Sequence, residues 1–263
     1  PAFRALCLRL PGEDDLAQTI HGMGRVPDPA KIHTARREMV GSLAVRLGDG
    51  LSRLYNDLDD GAPFSPSAEQ AGRRALRLAA LALLTRRDGG KLAAAAYAGA
   101  RSMTEEIGAL SALLDIREGQ AELAAFARRW GRDANVMDKW FALQIAHAEP
   151  AEAADLTARL TAREDFDWKN PNRFRSVIGA LAANHAGFHH RSGAGYRLVA
   201  DWLLRLDPLN PQTAARVSTA FETWPRYDAP RRKRAKAELE RILAAPDLSG
   251  DLREMLERML AAG

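Results

Sequence analysis

NPNRFRSVIGALAANHAGFHHRSGAGYRLVADWLLRLDPLNPQTAARVSTAFETWPRYD, residues 170–228, holds two Asn-Pro openings forty positions apart, at Asn170-Pro171 and Asn210-Pro211. Each is followed by apolar residues at helical spacing. Asn is a good N-cap because its side-chain oxygen accepts from an orphan backbone N–H, and Pro suits the first turn because no donor is needed there. Both openings therefore predict helix starts. Laid over each other, the segments match Val177 with Val217, Ala180 with Ala220 and Leu181 with Phe221. A period of forty fits the roughly 40–47-residue unit of HEAT and armadillo arrays.

The same reading extends outward. The chain of 263 residues is rich in Ala, Leu and Arg, and apolar positions recur at helical spacing with almost no β-branched alternation, which predicts an all-α protein. Helices are expected over Glu13 to His21, from Asp28-Pro29 onward with Gly48 and Gly50 as candidate kinks, and over Ser67 to Arg86. Others are expected over Leu92 to Ala100, after a Thr104 cap, and over Gln120–Trp130 and Val136–His147. The rest follow Glu149-Pro150, Asn170, Gly195, Asn210, Pro230 and Gly250. Connections are short, so neighbours should run antiparallel. The expected architecture is stacked antiparallel helical hairpins forming a HEAT/armadillo-like superhelical array, one domain over 1–263, with residues 1–12 as an extended opening segment.

Apolar content of 46% and charged content of 27% are those of a globular protein, and the net charge of +4 is too small and dispersed to demand nucleic acid. The run RRKRAK, Arg231 to Lys236, reads as a solvated helix face, since Glu238 and Glu240 follow within helical reach and no aromatic residue is interleaved. A lone cysteine, Cys7, fits a reducing compartment. With no signal peptide, and no apolar run longer than Leu76 to Leu84, neither a membrane partner nor export is expected, and the location predicted is cytoplasmic.

No catalytic signature is present: there is no His-Glu-x-x-His, Gly-x-Ser-x-Gly, phosphate loop or dinucleotide fingerprint. His185, His189 and His190 cluster, but Gly187 argues against a helical metal site, so they read as loop histidines bonded to backbone or solvent. Trp130, Trp140, Phe141, Trp202 and Trp224 read as aromatics packed between helices. Asp138 and Lys139 are adjacent and cannot face each other, so each needs a partner from elsewhere.

Arg173 and Arg175 lie in the first turns after Pro171, where the helix macrodipole disfavours cations. Two readings stand. Either both arginines pair with carboxylates such as Asp165 or Asp167 or are solvated, or a guanidinium beside free helix N–H groups makes an anion site suited to a carboxylate. Gln212 and Arg216 stand four apart and present an amide and a guanidinium on one helix face.

VMDKWFALQ at 136–144, NPNRFRSVIGA at 170–180, SGAGY at 192–196, LNPQTAARV at 209–217, RYD at 226–228 and LSGDL at 248–252 resemble the C-terminal helical domain of bacterial aminopeptidase N, a zinc-dependent alanyl aminopeptidase family. The opening PAFRALCLRLPGEDDLAQTI and SMTEEIGALSALL at 102–114 share the resemblance, which spans nearly the whole chain in order. It implies a fragment that works with catalytic and β domains of the same polypeptide. The zinc motif and the family's Gly-Ala-Met-Glu-Asn motif are absent from this sequence, so the chain is expected to bind no metal and to hydrolyse nothing by itself. It also implies a role for Arg175, Gln212 and Arg216, facing a cavity above the zinc on the primed side of short peptide substrates. An alternative reading is an independent helical scaffold that binds a protein partner on its concave face.

Overall fold

A computed structural model describes residues 1–59 and 61–263. In chain order its helices are α1 Ala2–Cys7, α2 Glu13–Gly22, α3 Pro29–Asp57, α4 Ala68–Asp88, α5 Lys91–Ala98, α6 Met103–Asp115, α7 Gln120–Trp130, α8 Ala134–Ala146 and α9 Ala153–Thr161. They continue with α10 Pro171–Phe174, α11 Ala180–Ala183, α12 His185–Phe188, α13 Ala194–Leu206, α14 Pro211–Ser218, α15 Ala229–Leu243 and α16 Gly250–Ala261. Among the described residues there is no strand, and the chain is an all-α helical-repeat array.

The chain divides into two compact units, Pro1–Pro11 with Thr34–Gly131, and Gly12–His33 with Arg132–Gly263. In the first, α4 packs against α1, α5 and α6 around a core of Leu51, Tyr55, Leu81, Leu84, Leu113 and small Ala80, Ala93 and Ala109. Ser67 caps α4 by accepting from the Gln70 N–H at 3.3 Å, and Gly89 and Gly90, both at positive φ, end it and start α5. Only glycine adopts that backbone freely. In the second unit α13 packs on α9, α14 and α15, and α16 packs on α14 and α15. Its core includes Phe141, Phe174, Ile178, Leu181, Phe188, Leu203 and Phe221, all fully buried. Each such side chain contributes about 1.5–3 kcal/mol relative to exposure.

Several expectations change. Residues 1–12 are not extended: Ala2–Cys7 is helical, with Ala5 buried and Phe3 and Leu6 exposed, so the partial alternation there carried no sheet information. The cap of α6 is Ser102, not Thr104, accepting from Glu105 N–H at 3.3 Å. The helix expected from Glu149-Pro150 begins at Ala153. α3 runs without a break through Gly48 and Gly50. The aromatics pack as expected, with Trp140, Phe141, Trp202 and Trp224 buried and Trp130 half-buried, its indole N–H toward Glu106.

Candidate functional site

Both Asn-Pro openings form the predicted caps. Asn170 Oδ1 accepts from Asn172 N–H at 2.9 Å, and Asn210 Oδ1 accepts from Thr213 N–H at 3.0 Å. The matched positions are buried in pairs: Val177 with Val217, and Leu181 with Phe221. Neither helix then stays regular. A π turn, Arg175–Gly179, separates α10 from α11, and a 3₁₀ turn, Thr219–Phe221, follows α14. π turns inside helices often mark functional positions because the wider turn re-aims side chains.

The two arginines of the first opening are sorted in opposite directions. Arg173 is buried. Its guanidinium donates to Asp138 at 2.5 Å, to the Ala134 carbonyl at 3.2 Å and to the Asp165 carbonyl, and it stacks over Phe141 at 4.6 Å. The expected pairing with a carboxylate occurs, but through Asp138; Asp165 gives its side chain to Arg163 instead. Arg175 is exposed and donates to Asn172 Oδ1 at 2.6 Å.

Arg175 and Arg216 line one cleft of about 800 Å³ in the second unit. Arg216 is exposed, and its guanidinium has no partner among the described residues. Gln212, exposed one turn earlier on α14, is not among the lining residues. Sequence reasoning missed Arg226, which also lines the cleft from the end of the 3₁₀ turn Trp224–Arg226 and approaches Asp14 of α2 at 3.7 Å. The other acid of the cleft, Glu222, is held by Arg258 at 2.8 Å.

The floor is a polar network that the histidine motif did not reveal. His185 and His189 are not solvated loop residues: both are buried and line the cleft from below. Glu13 accepts from, or shares a proton with, His33 at 2.7 Å, and its second oxygen lies 3.7 Å from His185 Nδ1. Burial raises the Glu13 carboxyl, but His185 and His33 beside it outweigh that and hold it at about 2. His185 Nε2 meets the Tyr227 hydroxyl at 2.8 Å, and His189 Nδ1 meets the Tyr196 hydroxyl at 2.8 Å. Burial pushes the Tyr227 phenol up to about 12. Arg231 is likewise drawn out of the expected solvated face: it is buried, pairs with Asp228 and donates to the His189 carbonyl at 2.7 Å. Arg232, Lys233, Arg234 and Lys236 of the same run are exposed.

The arrangement suits an anion better than it suits acid–base chemistry, because Glu222 is held by Arg258, Asp14 lies beside Arg226, and the Arg216 guanidinium has no partner among the described residues. Among the described residues no three His, Cys, Asp or Glu side chains are set to hold a metal ion, and no helix is long and apolar enough to cross a membrane. A second cleft, of about 460 Å³, lies in the first unit, but Asp59 already ties Arg77 and Arg101 there at 2.7 Å each.

The family described as "Domain of unknown function (DUF3458_C) ARM repeats" matches residues 1–261. Aminopeptidase N of Caulobacter vibrioides is 39% identical over 99% of this chain and 30% of its own length, and that of Escherichia coli is 33% identical over 99% and 30%. The crystal structure of Legionella pneumophila aminopeptidase A in complex with aspartic acid superposes with a TM-score of 0.86 at 27% identity, over 98% of this chain and 31% of that one. The chain thus spans about 30% of the length of these curated relatives. It belongs to the DUF3458_C ARM-repeat family and is a C-terminal helical domain of the aminopeptidase N type.

Proposed function

We propose that this domain closes over the active-site cavity of a zinc metallo-aminopeptidase that removes N-terminal residues from peptides, and that its cleft binds the primed, carboxylate-bearing side of short substrates. The chain itself is read as non-catalytic and cytoplasmic. Zinc, held by another domain of the same polypeptide, would supply the activated water when bound. The observation that carries the reading is the meeting of Arg175 and Arg216, from two separately capped helices, on one cleft where the Arg216 guanidinium has no partner among the described residues. A guanidinium takes a carboxylate through two parallel N–H donors, a stronger contact than a neutral hydrogen bond. Gln212, one turn from Arg216, is assigned a supporting contact to a peptide amide at the rim.

The test is Arg216→Ala in the full-length enzyme. KM for alanine tripeptides should rise about 10–100-fold, the value of a charged hydrogen bond, while KM for an alanine arylamide, which has no carboxylate, should change little. Equal effects on both substrates would remove carboxylate docking from this cleft.

A further inference from the structure

We infer that Asp14 is a built-in competitor for the anion that this cleft binds, and that Arg226 is the cation it occupies; the inference rests on the carboxylate reading above.

The first turn of α2 gives its three consecutive acids different tasks. Asp15 turns back to accept from the Gly12 N–H at 3.1 Å. Glu13 points inward to His33 and His185. Asp14 is left with its side chain 61% exposed on the cleft wall and with no hydrogen bond among the described residues. The nearest cationic atom is Arg226 Nη1, at 3.7 Å, which is ion-pair range but too long for a hydrogen bond.

Arg226 is held from the other side. It follows Pro225 in a 3₁₀ turn whose Trp224 is buried and donates to the Met259 carbonyl at 3.1 Å. Its Nη1 is buried without an acceptor among the described residues, and an unmet buried donor is costly. Asp14 neutralises the charge of Arg226 without satisfying its N–H. A carboxylate arriving in the cleft can do both, and Asp14, exposed and otherwise untied, can give way to solvent. Glu222 cannot play this part because Arg258 holds it. The cleft therefore carries its own weak anion, which lowers affinity for every ligand carboxylate and speeds its release.

The test is a double-mutant cycle read by calorimetric titration of the full-length enzyme, stripped of metal so that peptide is not cleaved, with Ala-Ala-Ala and with its C-terminal amide. Asp14→Asn should bind the free tripeptide about 3-fold tighter, the scale of an exposed ion pair, and leave the amide unchanged. Arg226→Gln should weaken the tripeptide and abolish the gain from Asp14→Asn, whereas Arg226→Lys, which keeps the charge, should preserve it; melting curves confirm that each variant is folded. A gain that persists undiminished beside Arg226→Gln, or that appears equally with the amide, overturns the competitor role. Tripeptide binding that Arg216→Ala abolishes but Arg226→Gln leaves intact overturns the assignment of Arg226 alone. Absence of binding in every variant removes the carboxylate reading and this inference with it.

Discussion

Buried Arg173 and half-buried Asp138 form an ion pair across thirty-five residues of sequence, Nε to Oδ1 at 2.5 Å, which ties the start of α10 to α8. Two backbone carbonyls, of Ala134 and Asp165, complete the guanidinium's partners. Removing one member of such a pair strands the other charge in a poor solvent. Arg173→Ala should therefore destabilise the second unit by about 3–5 kcal/mol. Replacing both residues, Arg173→Met with Asp138→Leu, should recover much of the loss because no charge is left unpaired. Urea unfolding of the three variants checks this; a single-mutant loss below about 1 kcal/mol would mean that water reaches the site and takes over the charge.

The pH dependence of stability should carry the mark of Glu13. Its folded pKa of about 2 lies below the ordinary value of 4.5, so the unfolded chain binds this proton more readily. The group thus contributes stability that is fully present above about 4.5 and is lost as pH falls through about 2. In Glu13→Gln that contribution is missing. The stability difference between wild type and variant should close as pH falls between those two values, as measured by denaturant unfolding across that range.

What could be read in the sequence was local. The Asn170 and Asn210 caps depend on neighbours within a few residues, and both form as the residue types predict. The partners that failed to appear are distant ones. Asp138 was visibly short of a partner, but nothing in the sequence said that the partner was Arg173. The histidines of NHAGFHH read as loop residues because Tyr227, forty-two positions from His185, supplies the hydrogen bond that lets one of them be buried. In the cleft, Arg175 and Arg216 were visible as badly placed or face-forming cations. Arg226 was not, since its role depends on a 3₁₀ turn and on Asp14 of α2.

Close packing of α13 against α12 rests on a missing side chain. A Cβ on Gly195 would sit 2.7 Å from the Phe188 carbonyl oxygen and 2.9 Å from its Cα, both backbone atoms that cannot turn aside. Gly195→Ala should cost about 1–3 kcal/mol through this overlap. Gly250→Ala is the matched control, since nothing lies within 4 Å of the added methyl, and a compatible Gly→Ala change is neutral or stabilising by up to about 1 kcal/mol. Thermal melts of the two variants should move in opposite directions or differ by several degrees; equal shifts would show that α12 moves freely to make room.

His189 should hold one tautomer and stay neutral at physiological pH. Burial, reinforced by His185, Arg231 and Arg226, holds it well below the usual 6.5. Burial also raises the Tyr196 phenol, so that hydroxyl keeps its proton and is available to donate to His189 Nδ1. With Tyr196 as donor, the expected imidazole proton is on Nε2, which faces Thr223 Oγ1 at 3.4 Å. Nitrogen chemical shifts of the ring report the tautomer directly, and they should not change between pH 8 and about 6.5. Because the unfolded histidine takes up its proton near 6.5 and the folded one only well below, His189 contributes stability above 6.5 that is lost as pH falls. In Tyr196→Phe, Nδ1 loses its donor inside the core, at a cost of about 1–3 kcal/mol. If instead that variant leaves both stability and the ring shifts unchanged, a water has replaced the phenol and the floor of the cleft is wetter than its burial implies.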